Sequence, residues 1–203
     1  MRSHVIAACF LATMALMPQS ASAVQYGVAF GGATGEGDFE VDDGSNAKVD
    51  FDLTTGEVGF ALGLGKSSPL LVYRLNAGII AGEVEYEPDL FDEDISDDLA
   101  GVVINNTLGF KFVNGPTMRV WAGGTAYLSA FTLDGDVADE ADATFIGIGP
   151  TLGMDFDAGG SMTISLELAW RFLNVDVEED DELPLDEIKA DDIALRLSLL
   201  WGS

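Results

Sequence analysis

Seven charged residues fall where alternating stretches of the chain are otherwise small or polar. They are Glu57, Asp155 and Glu167 against Arg74, Lys111, Arg171 and Arg196. Near-equal numbers of carboxylates and cations suit an enclosed space, because an unpaired buried ion costs several kcal/mol. The chemistry they offer is mutual neutralisation, an ion-pair network. A gate or a proton path would use the same groups, but structural pairing that fills a narrow interior is the expectation.

Other chemical patterns are weaker. Gly63-Leu64-Gly65-Lys66-Ser67 ends like a phosphate-binding loop, yet its leading glycine would fall at Phe60 and no helix follows. The glycine-rich run from Gly31 to Gly37 has no dinucleotide-binding unit around it and reads as a strand exit. Acidic clusters at Asp38–Asp43, Asp89–Asp98, Asp134–Asp142 and Asp176–Glu187 offer oxygen ligands to hard cations. None has the spacing of a calcium-binding loop, so a solvated acidic surface is the main reading, with weak divalent binding behind it. No catalytic, cofactor or metal site is expected, and no enzyme.

Composition narrows the classes further. The 203 residues carry 35 acids against 9 bases, a net charge of −26, which offers nothing to nucleic-acid phosphates. A mean hydropathy of +0.24 beside that charge excludes intrinsic disorder. The apolar and acidic residues must therefore occupy separate places. One apolar place is the N-terminus, where Arg2 and His4 precede an apolar run from Val5 to Met17. Pro18 breaks the run, and Ala21-Ser22-Ala23 is a cleavage site, so 1–23 reads as a secretory signal peptide. Ile6-Ala7-Ala8-Cys9 resembles a lipoprotein box, but too few residues precede it and the apolar run continues past it. Cleavage removes His4 and Cys9. The mature chain, 24–203, then holds no histidine and no cysteine, which excludes disulfides, Ser-His-Asp and Cys-His catalysis and a His/Cys zinc site.

What must position the seven charges is a set of strands. No stretch after residue 23 is long and apolar enough for a transmembrane helix, but alternating stretches recur. Eight are expected: 24–33, 56–65, 70–82, 102–112, 118–131, 144–156, 162–175 and 191–201. Tight-turn sequences at 66–69, 113–117 and 157–161 alternate with long connections at 34–55, 83–101, 132–143 and 176–190. The expected fold is all-β, an eight-stranded antiparallel up-and-down transmembrane barrel with four long acidic loops at one end.

The two faces of the strands decide which side meets lipid. Tyr26, Val28, Phe30, Val58, Phe60, Leu62, Leu166, Leu168, Trp170, Leu195, Leu197 and Trp201 share one face. Glycine, alanine, small polar residues and the seven charges share the other. The long connections hold most of the acids and only Lys48 and Lys189 as bases, whereas the polar strand face is nearly neutral. A water-exposed face would share the acidic excess, so the polar face points inward. Tyr73, Trp170, Phe172 and Trp201 suit an aromatic girdle. Weak alternation leaves the facing of Arg119, Trp121 and Tyr127 open, and Pro150 predicts a bulge or break in strand six. Pairing Met162 with Trp201 across the 157–161 turn sets Glu167 opposite Arg196.

These features resemble the eight-stranded outer-membrane barrels: the barrel of outer-membrane protein A, the opacity adhesins and the outer-membrane protein W and X types. The resemblance covers the whole mature chain and carries no catalytic motif with it. It implies export to the outer membrane of a Gram-negative-type bacterium, contact with outer-membrane lipid and lipopolysaccharide, and a monomer. The implied role is structural or surface-interacting through acidic extracellular loops. The alternative is a small pore or a conduit for small or hydrophobic molecules.

Overall fold

The structure, a computed structural model, describes residues 24–41, 47–87, 95–135, 141–178 and 188–202. The expected signal peptide and the tips of the acidic connections lie outside the described residues. Eight strands follow in order: β1 (Gln25–Val41), β2 (Ala47–Leu64), β3 (Leu71–Glu87), β4 (Ile95–Asn114), β5 (Met118–Gly135), β6 (Ala141–Gly159), β7 (Met162–Glu178) and β8 (Ile188–Trp201). Each pairs antiparallel with its neighbour in sequence, and β1 closes on β8 from Tyr26↔Trp201 to Asp38↔Lys189. The barrel has no sheet edge left to pair. Among the described residues no helix is long and apolar enough to cross a membrane.

Turn chemistry sets one end. Between β2 and β3, Ser68 N–H donates to the Gly65 carbonyl at 3.0 Å, and Ser68 Oγ accepts from Leu71 N–H at 2.9 Å. Between β4 and β5, Gly115 N–H donates to the Met118 carbonyl at 2.9 Å. Between β6 and β7, Gly159 and Gly160 take φ of 95° and 61°. This is the turn end of the barrel.

The other end differs from expectation. Within the segments 34–55, 83–101, 132–143 and 176–190, the described residues are strand rather than loop, so the barrel extends past the expected strand limits. The physical reason is a change of face. Near the turn end, the outward residues are Tyr26, Phe30, Phe60, Leu108, Phe110, Leu166, Leu168, Leu195 and Leu197. On β7 that apolar face runs from Met162 to Phe172. About eleven residues at ~3.3 Å each, tilted ~45°, rise ~25 Å, the height of a membrane barrel's apolar band.

Beyond that height the alternation continues in the opposite sense. Asp50, Asp52, Glu83, Glu85, Asp98, Asp134 and Asp142 point outward. Phe51, Leu53, Ile80, Val84, Leu99, Val103, Phe131, Leu133, Phe145, Leu173 and Ile188 point inward as one contiguous core. Phe131 and Phe145 meet edge to face at 4.6 Å between ring centroids. Burying this interior offsets the ordering of chain that would otherwise be loop.

Pro150 produces a break rather than a bulge. β6 pairs with β7 as far as Ile148↔Phe172 and resumes at Thr151↔Ala169 in unchanged register. Register shifts occur instead beside the turns, between Lys111 and Val113 and between Asp157 and Gly159. The β5–β6 pairing runs through Gly124↔Pro150 without interruption.

Candidate functional site

The lumen near the turn end is a column of charged and polar side chains in three levels. Alternation puts them there. Successive side chains on a strand point to opposite faces, and the closed wall makes one face interior.

The lowest level centres on Asp155 of β6. Its Oδ2 accepts from Arg74 Nη2 at 2.7 Å, and its Oδ1 accepts from Ser165 Oγ at 2.7 Å and Trp121 Nε1 at 3.4 Å. Arg119 Nε stands 3.8 Å from the same Oδ2, and Arg119 Nη1 donates to Asp157 Oδ2 at 3.2 Å. Lys66 Nζ reaches Asp157 Oδ1 at 3.3 Å. The lumen facing of Arg119, Trp121 and Tyr127, open in the sequence, is thereby fixed. Trp121 is fully buried, and its indole needs glycine on both neighbouring strands. An added Cβ would come within 2.5 Å of the ring at Gly109 and 2.0 Å at Gly153.

Lys111 departs from the expected network. Its ammonium donates to the carbonyls of Gly65 at 2.7 Å and Ser68 at 2.6 Å. The Gly65 carbonyl also accepts from Ser68 N–H within the turn, and a cation carrying three donors can bind both turn carbonyls at once. Lys111 therefore clamps the β2–β3 turn.

The middle level is a triad. Glu167 pairs directly with Arg196 in the β7–β8 ladder, as Met162 does with Trp201. Arg196 Nη1 donates to Glu167 Oε1 at 3.1 Å, and Arg196 Nε donates to Glu57 Oε1 at 2.5 Å. Glu57 belongs to β2, so this contact spans the intervening β1 at Gly31, which pairs with both residues. A Cβ at position 31 would sit 2.5 Å from Glu57 Oε1, so glycine leaves the crossing open. Thr107 Oγ1 donates to Glu167 Oε1 at 2.9 Å and ties β4 into the level.

The upper level pairs Arg171 with Asp192 through Nε at 2.7 Å and through a second contact from Nη2 to Oδ2. Arg171 also lies over the Tyr127 ring, 3.9 Å from its centroid. Asp192 was not among the expected residues. It shares the parity of Arg196 on β8 and faces Arg171 in the ladder, so the signal existed in the sequence.

The girdle is narrower than expected. Trp170 and Phe172 are exposed and lie 5.4 Å apart, and Trp170 Nε1 donates to Asp191 Oδ2 at 2.9 Å, where the wall turns acidic. Tyr73 shares the outward parity but is only 8% exposed, flanked in the ladders by Leu64 and Leu108.

Chemically, this column pairs most of its charges and crosslinks distant strands. Among the described residues no group of three or more metal-ligating side chains converges.

No protein-family model and no curated protein sequence matches the chain. Solved structures do. The outer membrane protein OprG from Pseudomonas aeruginosa aligns over 90% of this chain and 96% of its own, at 13% identity and a TM-score of 0.63. The outer membrane protein AlkL aligns over 92% and 94%, at 13% identity and a TM-score of 0.56. The outer membrane protease OmpT from Escherichia coli aligns over 92% and 99%, at 9% identity and a TM-score of 0.51. At these identities the likeness is one of fold. The chain has the closed antiparallel fold of the eight-stranded outer-membrane barrels.

Proposed function

We propose that this protein is an integral outer-membrane barrel that anchors an acidic collar at the cell surface. The observation that carries the reading is the reversal of the outer wall, from an apolar band to carboxylates on the same strands. An apolar wall belongs in lipid, and the acidic wall beyond it belongs in water at the level of lipid headgroups. Export, an extracellular loop end and contact with lipopolysaccharide belong to the same proposal. The collar would meet anionic lipopolysaccharide through divalent cations, which shield carboxylates and phosphates together. The ion-pair column argues for an anchor rather than a pore, because eight strands leave room for little beyond side chains.

Planar bilayers containing the purified, heat-modifiable barrel test this reading. The expected record has no ion-conductance steps, and sustained conductance would replace the anchor with a pore. A second reading, a conduit for hydrophobic molecules, is favoured by one observation: an apolar interior lies next to the Gly149–Pro150 gap in β6–β7 pairing. Uptake of an apolar dye into vesicles, faster than in protein-free controls, would favour it.

A further inference from the structure

The polar contacts of the middle level trace a ring that stops short of closing. From Glu57 they run through Arg196 and Glu167 to Thr107. The Thr107 and Thr125 hydroxyls lie 3.2 Å apart, and Thr125 Oγ1 donates to Asn105 Oδ1 at 2.5 Å. Asn105 pairs with Asn76 in the β3–β4 ladder, and there the contacts end. Asn76 is 6% exposed, and neither its Nδ2 nor its Oδ1 has a hydrogen-bond partner among the described residues. An amide buried in this way loses the hydration of both groups.

A cavity lies in the gap. Ala29, Glu57, Asn76 and Val103, inward residues of β1 to β4, line it together with Gly59 and Gly78. The two glycines pair across β2 and β3, and a Cβ added at either would fall 2.6 Å from the Cα of the other. Both positions therefore need glycine, and the inner wall there carries no side chain. The room left for the centre of a water-sized sphere is about 10 Å³, close to the ~10–15 Å³ that holds one water. Glu57 borders this space with an oxygen to spare. Its Oε1 takes Arg196 Nε, and its Oε2 takes no donor among the described residues.

We propose that this cavity is a binding site for one internal water, which joins Asn76 to Glu57 and closes the ring. Water suits the site because it donates and accepts at once. It can donate to Glu57 Oε2 and accept from Asn76 Nδ2, with its second hydrogen free for Asn76 Oδ1, as buried waters with two to four partners do. A sodium-sized cation would serve the oxygens but leave the Nδ2 donor stranded beside a positive charge. The bridge ties β3 to β2 where paired glycines leave the wall bare. It stands apart from the anchor reading, since it depends on neither collar nor conductance.

The test uses NMR of the isotopically labelled, full-length barrel folded in detergent. Magnetisation from water should reach the Ala29 and Val103 methyls, with laboratory-frame and rotating-frame transfers of opposite sign, the signature of a long-lived water. It should not reach the methyls of Leu133 and Leu173, elsewhere in the apolar interior. Asn76→Leu replaces the amide with an apolar side chain of like size. The water then loses its partner, so the Ala29 transfer should vanish and the thermal midpoint should fall by about 2–4 °C. A dry cavity gives the opposite sign, because removing an unpartnered buried amide raises the midpoint. Heat-modifiable migration verifies that the variant is folded, and the wild-type spectra keep the test decisive if it is not. Absence of transfer to the wild-type Ala29 methyl would overturn the proposal, as would an unchanged or raised midpoint in folded Asn76→Leu.

Discussion

The two halves of this barrel use one alternation in opposite senses. Near the turns, glycine, alanine and ion pairs fill the inside while Phe60, Leu166 and Leu197 cover the outside. Near the loops, Phe51, Leu99 and Phe131 fill the inside while Asp52, Glu85 and Asp98 cover the outside. The backbone does not register the change, and β4 runs through both halves as one strand. On the proposed reading, what differs is the solvent against the wall: a lipid-facing barrel and a water-facing barrel are stacked on shared strands, and the height of the reversal would mark the lipid boundary.

The sharpest way to break that comparison is at Arg196, which serves two carboxylates. Replacing it with Met would bury Glu57 and Glu167 without their shared cation. The loss should be about 3–5 kcal/mol in urea titrations of the barrel in lipid vesicles. Glu167→Gln should cost clearly less, because Glu57 still holds the guanidinium at 2.5 Å. Equal losses would mean that the contact across Gly31 contributes nothing.

The outer wall provides the next test. Leu197→Arg puts a charge in the apolar band and should cost about 2–4 kcal/mol if the position is near the bilayer midplane. Glu85→Arg, outward in the acidic half, should stay within about 0.5 kcal/mol, as surface substitutions do. Similar penalties at both positions would remove the lipid boundary drawn between them.

The same reversal explains what the sequence could and could not reveal. Strand count, turn positions and the Glu167–Arg196 register follow from a strict period of two, which one buried face makes unambiguous. The strand ends do not. On β2 the apolar residues sit at even positions from Val58 to Leu64 but at odd positions in Phe51 and Leu53. On a single-face criterion that shift looks like the end of a strand, so the extended half reads as loop. The acids reinforced the error, since carboxylates alternating with inward apolar residues resemble a loop when only their number is weighed. In the site, Asp192 was legible from parity. The Lys111 clamp was not, because a turn carbonyl leaves no mark in residue type. The Glu57–Arg196 contact required knowing that β1 closes on β8 and that Gly31 leaves room between them.

The smallest expected effect sits where the two halves meet on one strand. Ile79 and Ile80 are consecutive on β3 and face opposite ways, 62% and 4% exposed. Ile80 packs in the interior core, so Ile80→Val leaves a methyl-sized void and should cost about 1 kcal/mol. Ile79 points outward opposite Val102, and lipid tails can fill the space that a lost methyl leaves. Ile79→Val should therefore change stability by less than about 0.3 kcal/mol in vesicles, within the scatter of ordinary surface substitutions. The pair controls for backbone, strand and residue type at once, leaving the packing medium as the difference. Equal losses would mean that the interior at Ile80 yields as readily as lipid does. An interior that yields in this way could admit an apolar guest, and the conduit would then displace the anchor.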